Sequence, residues 1–129
     1  MPSILESRHV LAVRDLGAAT RYYTEVLGFA RDFGDGSDGW SFLSRGGCRL
    51  MLGGCPDAAP AGELGDHAYV AYLVVEGVDA LHGELAARGA EIAAPPTTEP
   101  WGLREFGVRT PDGHRLRFGE VVSDIRAAR

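Results

Sequence analysis

The hydrophobic pattern switches between two rhythms, and it does so twice. In HVLAVRDL (residues 9–16) His9, Leu11 and Val13 fall on one side of an alternating run, which predicts a half-buried strand. From Asp15 the period lengthens. Leu16, Ala19, Tyr23, Val26 and Leu27 share one face of a helix that Asp15 can cap, and Gly28 stands where a helix ends in a left-handed residue. Three short strands are predicted next, FARDF, WSFLS and CRLML, separated by the turn-rich segments GDGSDG and RGG.

The second half repeats the plan. YVAYLVV reads as a strand, and VDALHGELAARG as a helix with Val78, Leu81 and Leu85 inward and Gly89 as its stop. AEIAA, REFGVRT and HRLRFGE follow as strands. The organisation is strand–helix–strand–strand–strand, twice, and an internal repeat of this kind governs the whole fold. The expected division is one domain over residues 1–129, with modules at 6–54 and 67–121 and a Gly/Pro/Ala-rich linker at 55–66. The repeat has a register. Val13 matches Val75, Ala19 matches Leu81, and one gap brings Gly28 onto Gly89. Arg8 then corresponds to Val70, Val10 to Tyr72, and Met51 to Arg117.

The duplicated plan, with VRDLGAATRYYTEVLGF and REFGVRTPDGHRLRFGE, resembles the vicinal oxygen chelate superfamily, which includes glyoxalase I, extradiol dioxygenases, fosfomycin-resistance enzymes and bleomycin-resistance proteins. The resemblance spans nearly the whole chain. It implies an α+β fold in which two βαβββ modules pack curved mixed sheets into a cleft. In metal-using members, the first and last strands of each module supply the ligands.

Those positions fall here on Arg8, Met51, Val70 and Arg117. Guanidinium has no lone pair to give, valine has no donor atom, and thioether prefers soft metals. A one-residue slip offers only His9 in place of a quartet, where a site needs at least three donors. His67, His82 and His114 read as loop, helix-border and hairpin residues. Glu120 should point away from the Arg117 face and pair with a surface arginine. No metal or other cofactor is therefore expected.

Without a metal, the resemblance points to the bleomycin-resistance subgroup, whose members sequester a drug without chemistry. There, tryptophans placed like Trp40, before the RGG hairpin, and Trp101, entering the penultimate strand, stack on flat parts of the ligand. The expected ligand-binding set is Arg8, Trp40, Met51, Val70, Tyr72, Trp101 and Arg117, with a planar aromatic small molecule as partner. Arg8 and Arg117 would suit a carboxylate, phosphate or phenolate. The alternative is that they pair with Glu105, Glu99 or other rim groups. The function expected is metal-free small-molecule binding of the drug- or metabolite-sequestering kind. The alternative is a metal-dependent lyase, isomerase or dioxygenase of the same superfamily.

Charge and composition narrow the partners. A net charge of -5 disfavours nucleic acid and anionic membranes. The sequence shows no signal segment and no apolar run that could span a bilayer, so a cytoplasmic location is expected. Cys48 and Cys55 are too few for a disulfide framework and read as free thiols. An open sheet in each module predicts a homodimer.

Overall fold

The computed structural model describes residues 2–59, 61–64 and 69–123. The chain divides into two compact units, Met1–Ala59 and Pro60–Arg129. Each holds a four-stranded mixed sheet with a helix packed on one face.

The first unit contains β1 (His9–Val13), α1 (Leu16–Arg21), β2 (Ala30–Phe33), β3 (Trp40–Arg45) and β4 (Cys48–Gly54). The strand order is β1-β4-β3-β2, with β1 parallel to β4 and the other pairs antiparallel. Alternation decides the faces. Leu11, Val13, Leu43, Leu50 and Leu52 are buried on the α1 side. The Asp15 carboxylate accepts from the Ala18 N–H at 3.0 Å, which caps α1 as expected.

The helix then departs from its predicted stripe. Tyr22–Val26 widens into a π turn, in which the Leu27 N–H reaches the Tyr22 carbonyl at 3.2 Å. Ala19, Thr20, Tyr23 and Leu27 are buried, while Leu16 and Val26 are only half-buried. The Thr20 hydroxyl is satisfied by the Leu16 carbonyl and by Ser41 Oγ, each at 2.7 Å. Gly28 has the left-handed φ of 76° that the stop required.

The second unit contains β5 (Tyr69–Val74), α2 (Val78–Ala87), β6 (Glu91–Thr98), β7 (Leu103–Arg109) and β8 (Arg115–Val121). Its order is β5-β8-β7-β6, with β5 parallel to β8. Ala71, Val78, Leu85, Phe106, Val108, Leu116 and Phe118 form its core, where Phe106 stacks on Phe118 with centroids 4.8 Å apart. Leu81, expected inward, is half-buried. Strand β6 runs past AEIAA and includes Pro95 and Pro96. It can do so because it is the sheet's edge and its pairing with β7 is interrupted by two irregularities.

One expectation is corrected. Glu120 does lie on the α2 side, but it pairs with backbone and not with an arginine. The N-cap Gly77 has no side chain, and the Glu120 carboxylate accepts from the Gly77 and Val78 N–H groups at 3.1 Å each. The segment between the modules carries structure of its own. Ala61–Leu64 forms a 3-10 turn, with Ala61 buried and its N–H bonded to the Asp112 carbonyl at 3.0 Å.

His114 is buried beside the β7–β8 turn, and its Nδ1 has no hydrogen-bond partner among the described residues. Burial pulls its pKa below 6.5, against a smaller opposite pull from Asp112. The unfolded chain therefore binds a proton at His114 more readily than the folded one. Stability should fall as pH drops through 6.5, and keep falling until the folded ring titrates. Urea unfolding at about pH 7.5 and about pH 5.5 checks this: His114→Gln should lose less stability between the two than the unchanged protein. Equal losses would remove His114 from the account.

Candidate functional site

Strand β7 alternates as LREFGVR. Phe106 and Val108 face α2, which turns Glu105 and Gly107 to the other face of the sheet. A glutamate there would ordinarily reach solvent, yet Glu105 is only 4% exposed. Three donors from three elements cover it. Arg117 on β8 donates Nε–H to Oε1 at 3.1 Å. Trp101, in the turn before β7, donates Nε1–H to Oε2 at 3.2 Å. Tyr72 on β5 donates its hydroxyl to the same Oε2.

Tyr72 must cross β8 to reach that carboxylate, and a glycine lets it. Gly119 is the strand partner of Glu105, and a Cβ at Gly119 would collide with the Tyr72 hydroxyl. Gly102, with φ 88°, shapes the turn that presents Trp101. Although their polar edges are held, Trp101 remains 49% exposed and Tyr72 45% exposed.

The protonation states follow from this packing. Burial pushes the Glu105 carboxyl up, but the bonds from Tyr72, Trp101 and Arg117 outweigh it and leave its pKa below the ordinary value. Burial, together with the adjacent Glu105 charge, pushes the Tyr72 phenol well above its usual range. At neutral pH Tyr72 is therefore the donor and Glu105 the charged acceptor. Arg117 and Glu105 form a neutral pair, with the Arg117 side chain 27% exposed.

The first unit has its own aromatic face on the side away from α1. Trp40 lies across its strand partner Gly53, where a Cβ would come within 2.9 Å of Trp40 Cζ3. Phe42 pairs with Met51 across β3–β4 and stacks on Phe33 with centroids 4.3 Å apart. The Arg8 guanidinium carbon sits 5.4 Å and 5.8 Å from the Phe33 and Phe42 ring centres. Its nitrogens donate to Glu6 at 3.1 Å, Asp32 at 2.9 Å and the Leu50 carbonyl at 3.2 Å.

Of the residues singled out in the sequence, Tyr72, Trp101 and Arg117 thus meet on one carboxylate, while Arg8, Trp40 and Met51 share the other sheet's face. Val70 joins neither group. It is half-buried at an irregularity in the β5–β8 pairing. Sequence reasoning placed Glu105 only as a partner for arginines, it read Phe42 only as a core residue alternating with Trp40, and it passed over Phe33. The alternation of LREFGVR was the available signal for Glu105.

Arg8, Met51, Val70 and Arg117, the positions at which the resemblance implies metal ligands, form a donor set that does not fit a divalent cation. Among the described residues, no three His, Cys, Asp or Glu side chains come together as a metal-binding group. His9 is exposed, His82 packs edge-on against Phe106 at 5.4 Å, and His67 lies outside the described residues. Among the described residues, no helix is long and apolar enough to cross a membrane.

Gly119→Ala should displace the Tyr72 ring and break its bond to Glu105 while sparing the α2-facing core. Absorbance titration of the tyrosines reads this directly. One phenol that resists ionisation in the unchanged protein should return towards 10 in the variant. An unchanged titration curve would mean that Tyr72 does not depend on the glycine.

The sequence model of the Glyoxalase/Bleomycin resistance protein/Dioxygenase superfamily matches residues 7–118. No curated protein sequence matches the chain. Among solved structures, a bleomycin-binding protein from bleomycin-producing Streptomyces verticillus, complexed with copper(II)-bleomycin, is 30% identical with a TM-score of 0.69, over 92% of this chain and 97% of that one. A glyoxalase/bleomycin resistance protein from Catenulispora acidiphila is also 30% identical, with a TM-score of 0.70 over 92% and 99% of the two chains. The bleomycin resistance determinant encoded on transposon Tn5 is 25% identical, with a TM-score of 0.72 over 91% and 98%. With the family match covering most of the chain and each unit holding a four-stranded mixed sheet, the protein belongs to the Glyoxalase/Bleomycin resistance protein/Dioxygenase superfamily.

Proposed function

We propose that the protein binds a planar aromatic small molecule and sequesters it, without a metal of its own. One observation carries the reading: Trp101 and Tyr72 are anchored at their polar edges by a buried carboxylate and stay about half exposed. Rings held in this way keep their contact area and lose little freedom when a flat ligand stacks on them. Trp40, fixed over Gly53 and 37% exposed, gives the first unit a similar wall. The 30% identical Streptomyces verticillus protein, solved with copper(II)-bleomycin, supports a drug- or metabolite-sequestering role. Action in the cytoplasm is part of the proposal. Cys48 and Cys55 are free thiols, as a reducing compartment favours.

Titration with a panel of planar aromatics, bleomycin included, should quench tryptophan fluorescence. Trp101→Ala should weaken binding about three- to tenfold, the scale of one lost stacking contact. A panel that leaves both tryptophans unperturbed defeats the proposal.

A homodimer is also proposed. Each unit leaves apolar strand residues exposed, Val10 and Phe33 in the first and Val74 and Val121 in the second, and an open sheet gains by packing against another layer. Sedimentation at micromolar concentration should give a species of twice the 13.8 kDa chain mass. A monomer under those conditions counts against the dimer alone.

A further inference from the structure

Two arginines near the aromatic side chains suggest an anionic ligand, but each has a carboxylate partner. Arg8 is bonded to Glu6 and Asp32, and Arg117 to Glu105. The second pair matters more because its carboxylate is the buried hub of the Trp101–Tyr72 wall. Arg117 uses Oε1, while Tyr72 and Trp101 share Oε2, so all three bonds coexist.

We infer that Glu105 determines the ligand class of this face: by cancelling the Arg117 charge, it selects an uncharged planar aromatic over an anionic one. The inference rests on the aromatic-binding reading above. An incoming anion would have to compete with a carboxylate that already holds Arg117 at 3.1 Å and is fixed by two further donors. It would also meet the repulsion of that carboxylate, which the 4% exposure of Glu105 leaves poorly screened by water. An uncharged ring meets neither obstacle and still finds the two exposed aromatic side chains. Glu105 itself lies beneath them and acts through Arg117, Trp101 and Tyr72. It is a positioning residue.

Two fluorescent probes with one ring skeleton test this. N-phenyl-1-naphthylamine is uncharged, and 8-anilino-1-naphthalenesulfonate adds a sulfonate. The unchanged protein should bind the uncharged probe more tightly, with energy transfer from tryptophan reporting occupancy. Glu105→Gln keeps an oxygen for the donors but frees the Arg117 charge. The affinity ratio should then move towards the sulfonate by about tenfold, the scale of one charge-assisted contact. Arg117→Gln keeps the carboxylate, so the ratio should move the other way. Far-UV circular dichroism confirms that each variant is folded. If Glu105→Gln does not fold, Arg117→Gln decides alone, and an unchanged ratio overturns the inference. Tighter binding of the sulfonate by the unchanged protein, or the same ratio in a folded Glu105→Gln protein, also overturns it while leaving the aromatic-binding reading in place. If neither probe binds the unchanged protein, both fall.

Discussion

An ionised carboxylate shut off from water on a sheet face is unfavourable unless its lone pairs are used, because the protein must replace the water it gives up. Glu105 meets that condition with a guanidinium, an indole and a phenol. Much of the second unit's open face follows from it. Gly119 has no side chain because the Tyr72 ring lies where its Cβ would be. The turn at Gly102 places Trp101 so that its N–H reaches four residues forward to Glu105. The carboxylate is hidden, and the rings that hide it are what the face presents.

The first unit solves a similar problem with the opposite charge. There the hub is a cation, Arg8, held by Glu6, Asp32 and the Leu50 carbonyl and set close to the Phe33–Phe42 pair. A large aromatic again lies across a glycine on a neighbouring strand, Trp40 on Gly53. The two units share a backbone plan and a construction principle, a paired charge among aromatic side chains, but not the residues that carry it. Arg8 bonds directly to the Glu6 and Asp32 carboxylates, and Arg117 directly to that of Glu105.

Much of the architecture is legible in the sequence, since alternation and helical periodicity are local properties of the chain. The duplicated strand–helix–strand–strand–strand order, the Asp15 cap, the Gly28 and Gly89 stops and the opposite orientations of Leu116 and Arg117 all follow from spacing and sterics. These features need only neighbours a few residues away. The poor fit of Arg8, Met51, Val70 and Arg117 to a divalent metal is different: the resemblance points to the positions, and side-chain chemistry alone gives the misfit.

Contacts between distant residues were decided by the tertiary structure alone. Tyr72, Trp101, Glu105 and Arg117 come from β5, a turn, β7 and β8, and no local pattern says that their polar atoms meet. Glu120 capping α2 from 42 residues away is the same case, because a helix that begins with glycine takes its acceptor from whatever the fold brings near. The buried Thr20 of α1 depends on Ser41, in a strand of the sheet, as a partner for its hydroxyl. The sequence determined which side of each strand is apolar, because side-chain direction alternates along the backbone. Which polar groups pair across those sides was set by strand order, because pairing depends on distance in space.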